Sequence, residues 1–108
     1  MEATPEQIEA WKKQYGAGNV FEVKVRVSAN DAAFCYLKKA GRNVVAPALS
    51  LIAANQLLKA GEMILDNCII AGDARFTAGA EGGEDVRMAG ALQAASVVEL
   101  MEAEIRKL

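Results

Sequence analysis

Residues 20–27, VFEVKVRV, alternate strictly between apolar and charged side chains. Phe21, Val23, Val25 and Val27 fall on one face of an extended strand, and Glu22, Lys24 and Arg26 on the other. SAND at 28–31 supplies a turn. AAFCYLKK at 32–39 reads as the return strand, with Phe34 and Tyr36 on one face and Cys35 and Leu37 on the other. A two-stranded hairpin is marginal in water. Its apolar face therefore needs helices over it, and its edges are candidate sites for a partner strand. No third strand is expected.

The rest of the chain follows helical spacing. In TPEQIEAWKKQYG, Thr4 is a good N-cap, Pro5 suits the first helical position and Gln7 completes a capping box. Ile8, Trp11 and Tyr15 share a face, and Gly16 and Gly18 end the helix. The stretch from Gly41 to Asp73 divides into helices over about 44–53 and 56–70, with Asn43 and Asn55 as caps and Pro47 tolerated near a start. One continuous kinked helix is the alternative. In the second helix Leu57, Gly61, Ile64, Leu65 and Cys68 form an apolar stripe, and Lys59, Glu62 and Asp66 face water. GDARFTAGAEGGED reads as a mobile glycine-rich connection. Its acidic end suits the start of a closing helix. In that helix Val86, Ala89, Gln93, Val97 and Leu100 form the stripe, and Glu102 precedes Arg106 by one turn. The expected fold is α+β: an N-terminal helix, a β-hairpin, then three helices packed on the hairpin, in a single domain over 1–108 with no repeat or linker.

Composition narrows the function classes. A chain of 108 residues with 53% apolar and 24% charged positions is expected to fold. The net charge of −2 and the absence of a basic block argue against nucleic acid as a partner. No apolar run reaches the roughly 18 residues that span a bilayer, so no membrane role is expected. The polar start MEATPEQIEA does not read as a secretion signal, so a cytoplasmic location with reduced thiols is expected. There is no histidine, which removes Cys-His and Ser-His catalysis and most zinc sites.

LDNCIIAGD, residues 65–73, is the most enzyme-like stretch. Cys68 falls near a helix C-terminus, whose partial negative charge disfavours a thiolate, and Asp66 and Asp73 act in the same direction. It reads as a plug in a helical stripe, more enclosed than Cys35, so Cys68→Ser is expected to cost more stability than Cys35→Ser. Asp66, Asp73, Glu81, Glu84 and Asp85 do not follow calcium-loop spacing. GAEGGED lacks the lysine and hydroxyl of a phosphate loop. No catalytic, metal-ligating or cofactor-binding residue is assigned, and the chain is read as not an enzyme. A small ligand-binding or enzymatic domain using Cys68 and nearby carboxylates is the alternative.

The layout around YLKKAGRN, GEMILDNCIIAGD and VVELMEAEIRKL resembles that of small uncharacterised proteins of tailed phages and prophages. In size and order of elements it is similar to tail assembly chaperones. Related proteins carry a motif of the type Leu-x-Asn-Cys-aromatic-x-Gly-Gly-Asp. Leu65, Asn67, Cys68, Gly72 and Asp73 match it, while Ile69 replaces the aromatic residue and Ala71 a glycine. The resemblance implies a protein that binds and shields another assembly protein, such as a long tape-measure-like chain, without a cofactor. Candidate contact residues are Val98 and Met101, turned away from the closing helix's stripe, and the basic cluster Lys38, Lys39 and Arg42. Lys38, Lys39 and Arg42 read either as a solvated surface patch or as a seat for an acidic partner segment. The surplus apolar surface on the closing helix also points to a homo-oligomer.

Overall fold

The computed structural model describes residues 2–103, and side-chain surroundings for residues 2–96. The first helix, α1, spans Pro5–Tyr15 and has the expected capping box: the Thr4 hydroxyl accepts from the Gln7 amide at 3.2 Å, and the Thr4 amide donates to Gln7 Oε1 at 2.9 Å. Gly16 closes α1 at φ 103°, a conformation open to glycine, and its N–H donates to Lys12 O.

Strands β1, Val20–Ser28, and β2, Asp31–Lys38, form the hairpin. Phe21, Val23 and Val25 stand opposite Leu37, Cys35 and Ala33, which makes one continuous apolar face. Helices α2, Arg42–Ala53, α3, Leu57–Cys68, and α4, Glu84–Ala103, supply its cover. The shared core includes Val44, Ala48, Ile64, Leu65, Cys68 and Val86. The other face is roofed in part by α1. Tyr36 is buried there, with the Trp11 ring 5.1 Å from its own, the Ala3 amide donating to its Oη and its hydroxyl donating to Glu22.

The sheet has three strands in the order β1-β2-β3. The third, β3, is Ile69–Gly72. This corrects the expectation of a bare hairpin and of a helix running to residue 70. The helix stops at Cys68 because Ile69 turns extended, and the chain then pairs Ile69, Ala71 and Gly72 with Leu37, Tyr36 and Cys35. The break between α2 and α3 is real, so the single kinked helix is not formed. Asn55 sits at φ 62° and the Gln56 amide donates to Leu51 O, a left-handed helix ending for which asparagine is suited. Asn55 thus closes α2, and Gln56 is the N-cap of α3. Asn43 is not a cap either: Gly41 precedes α2, and its carbonyl accepts from Val44 and Val45.

The stripe assigned to α4 also shifts. Gln93 is exposed, and the buried positions among the described residues of α4 are Val86, Gly90, Ala91, Ala94 and Ala95. Val97 and Leu100 of that stripe, Val98, Met101 and the Glu102–Arg106 pair fall outside the residues described at side-chain level.

Candidate functional site

In space, the 65–73 motif is a joint between a helix and a strand. Leu65 and Cys68 close the core on the last turn of α3. Asn67 turns its amide back to Met63 O at 2.7 Å. Gly72 lies against β2, where an added Cβ would come 2.6 Å from Cys35 Cβ, so the close strand pairing needs a glycine. Asp73 then caps a single 3₁₀ turn, Ala74–Phe76, by accepting from the Arg75 amide at 3.0 Å. Burial pushes the Cys68 thiol up, with the positive charge of Lys38 opposing weakly, and burial raises Cys35 to about 12. Both thiols are held protonated at neutral pH, and the carboxylates near Cys68 in sequence are engaged elsewhere.

Two arginines take those carboxylates. The Arg87 side chain, 11% exposed, donates to Asp66 at 2.8 and 2.9 Å, to Glu62 at 3.2 Å and to Phe76 O at 2.9 Å. These hydrogen bonds, Asp66 foremost, raise the Arg87 pKa against the opposing effect of desolvation. Arg75 binds Asp73 through Nε and Nη2 and reaches Asp31 at the start of β2 at 2.9 Å. The hydrogen bonds from Arg75 hold Asp73 down at about 2 and lower Asp31 as well. The glycine-rich connection, expected to be mobile, is therefore tied at several points. Phe76 anchors it in the core, its ring edge resting where a side chain on Gly90 would stand.

Between this connection, α3 and α4 lies an open cleft of about 430 Å³, lined in part by Leu58, Glu62, Thr77, Gly83, Arg87 and Met88. Met88, which lines it, begins a short strip of exposed apolar side chains on α4. Met88 and Leu92, one turn apart on α4, are 43% and 41% exposed, and Leu57 at the start of α3 is 37% exposed. Leu57 was expected within the buried stripe of α3. It stands instead at the solvent edge, because the helix begins there and its neighbour Leu58 faces the cleft. Met88 and Leu92 are separated by Ala89, Gly90 and Ala91, small residues that carry the packing, so the sequence pattern does not mark this face of α4.

The basic cluster is exposed at one end of the sheet. Lys38 Nζ lies 5.9 Å above the Tyr15 ring, in the last turn of α1 that also carries Lys12 and Lys13. The Lys39 amide donates to Asn19 O, and Arg42 opens α2, whose first turn has no acidic residue.

Among the described residues no group of histidine, cysteine and carboxylate side chains is placed to hold a metal ion, and no helix is long and apolar enough to cross a membrane. No protein-family model, curated protein or solved structure matches the chain.

Proposed function

We propose that the chain is a non-catalytic interaction protein whose α3–α4 strip receives an amphipathic helix of another protein. The observation that carries this reading is the cleft lined by Leu58 and the exposed Met88, with Leu92 exposed one turn beyond Met88 on α4. Grouped apolar side chains at a groove are the usual seat for the apolar face of a partner helix. The basic end formed by Lys38, Lys39 and Arg42 suits an acidic stretch of the same partner. The finer reading, a tail-assembly-chaperone-like factor of phage or prophage origin that keeps a long helical assembly protein soluble, draws on the motif at Leu65, Asn67, Cys68, Gly72 and Asp73.

Co-expression tests it. A long helical protein encoded beside this chain is produced alone, with the wild type, and with a Met88→Lys, Leu92→Glu variant. The expected result is a soluble partner with the wild type and an aggregated one with the variant. Equal solubility in all three cases would overturn the reading.

A further inference from the structure

We infer that two copies of the chain pair through the open edge of β1, antiparallel, about a two-fold axis at Val23 that sets Glu22 of each copy opposite Lys24 of the other. This pairing uses no residue of the α3–α4 strip and stands apart from the helical-partner reading.

Sheet order places β1 at an edge, and among the described residues nothing pairs with its outer side. At nine residues it is long for an edge, contains no proline and points no charge into the core. Natural edges are usually blunted by such devices, by charged side chains, by bulges or by being short; of these β1 has only the charges of Glu22, Lys24 and Arg26 and a register shift at its end. The opposite edge follows that rule: β3 has four residues and a register shift in its pairing with β2.

The hydrogen-bond phase identifies the open groups. The Lys39 amide donates to Asn19 O, so this opposed pair is a hydrogen-bonded one. Alternation then turns the backbone of Phe21, Val23 and Val25 toward β2. It turns the N–H and C=O groups of Val20, Glu22, Lys24 and Arg26 outward. On the far side of β2 the Asp73 amide donates to Phe34 O, as the same phase requires.

Charge selects the register. With the axis at Val23, Glu22 meets Lys24 twice, Val20 meets Arg26 twice, and all the open backbone groups over 20–26 find partners. Moving the axis to Lys24 opposes Glu22 to Arg26 twice but sets two lysines against each other at the axis and carries the pairing past the register shift to Ser28; moving it to Val25 opposes Lys24 to Arg26, and moving it to Glu22 opposes two glutamates. Like charges directly across a sheet are destabilising. The paired segment also ends at Arg26, before the register shift between Arg26 and Ser28. On the apolar face, Phe21 of one copy meets Val25 of the other, and both are only half-buried in a single copy.

Sedimentation velocity over a micromolar concentration range tests the pairing on the full chain. The wild type is expected to dimerise. Lys24→Glu, which leaves the Glu22–Tyr36 hydrogen bond in place, should weaken the dimer by about ten- to a hundredfold, because two opposite-charge pairs become two like-charge pairs. The exchange Glu22→Lys with Lys24→Glu should restore most of the loss. Lys24→Pro removes an amide that faces the open edge and no β1–β2 bond, so it should give a monomer with an unchanged circular dichroism spectrum. A monomeric wild type, or a dimer indifferent to Lys24→Pro, overturns the edge pairing. A dimer abolished by Lys24→Pro but unmoved by the charge variants overturns the register.

Discussion

The backbone of Ala91 on α4 runs so close to Gly61 on α3 that a Cβ added to Gly61 would stand 1.8 Å from the Ala91 carbonyl oxygen. Neither helix has a side chain at this crossing that could give way. The approach is possible because α3 offers Ala60 and Gly61, and α4 offers Gly90, Ala91, Ala94 and Ala95. Glycine to alanine in a helix interior ordinarily stabilises by about 1 kcal/mol. Here Gly61→Ala must push the two helices apart and open the core around Ile64 and Leu65. The expected result is a loss of about 3 kcal/mol or more, at the upper end of overpacking costs. Urea midpoints of the wild type and Gly61→Ala check this, and a stabilised variant would show the helices to be further apart.

Arg87 joins α4 to α3 and to the connection between them. Removing it leaves Phe76 O without its donor and two carboxylates without a counter-charge. Arg87→Ala is expected to cost about 2–3 kcal/mol, mostly from the unpaired carbonyl and lost packing. Arg87→Lys should recover only part, since one ammonium cannot span three acceptors. Asp66→Asn should cost about 1 kcal/mol or less, because Asp66 is more than half exposed and its pair is screened by water. Denaturant unfolding of the three variants gives the order, and an Asp66→Asn as damaging as Arg87→Ala would contradict it.

The parts of the fold legible in the sequence are those written in large side chains or strong caps. Thr4, Pro5 and Gln7 announce α1, and the alternation from Phe21 to Val27 announces β1. What was hidden lacks such signals. The strand β3 has four residues, IIAG, and its apolar start continues the pattern of α3 without a polar break. Only pairing with β2 makes it extended. The face of α4 that meets α3 consists of glycine and alanine, which a search for large apolar residues skips. Asn55 was legible as a boundary but not as the left-handed closure of α2. For the candidate surfaces, Lys38, Lys39 and Arg42 were visible as neighbours in the chain. Met88 joined a surface only once the fold set Leu58 of α3 in the same cleft.

Asp73 gives the chain an acid-sensitive contact. Hydrogen bonds from the Arg75 side chain and amide lower its carboxyl from the ordinary 3.8 to about 2, and Asp31 on the same guanidinium is also lowered. Between about pH 4 and pH 2 the folded state therefore binds fewer protons than the unfolded state. The contribution is fully present above that window and is lost as pH falls through it. Unfolding midpoints measured from pH 5 to about pH 2 should fall more steeply for the wild type than for Asp73→Asn, which keeps a side-chain cap for the Arg75 amide but has no charge to titrate. Parallel curves would show that Asp73 is not ion-paired in solution.

The cysteines carry the last prediction, and their surroundings argue for the opposite order to the one that the sequence suggests. Cys35 lies at the centre of the sheet between Val23 and Gly72, fully buried, with its thiol raised to about 12. The described core contains no buried polar or charged residue that could receive a hydroxyl. Cys35→Ser should therefore cost about 1–3 kcal/mol, the penalty for an unpaired buried hydroxyl. Cys68 is also buried, but it ends α3, and a serine there can donate to the Ile64 carbonyl one turn back. Cys68→Ser should cost about 1 kcal/mol or less, because that bond offsets most of the desolvation. Urea midpoints of the two variants decide the order. Thiol labelling at neutral pH adds a functional readout, since both side chains are buried and protonated and should react only as fast as the chain opens. A Cys68 that labels rapidly in the folded state would contradict its burial and would favour the ligand-binding or enzymatic alternative over the interaction reading.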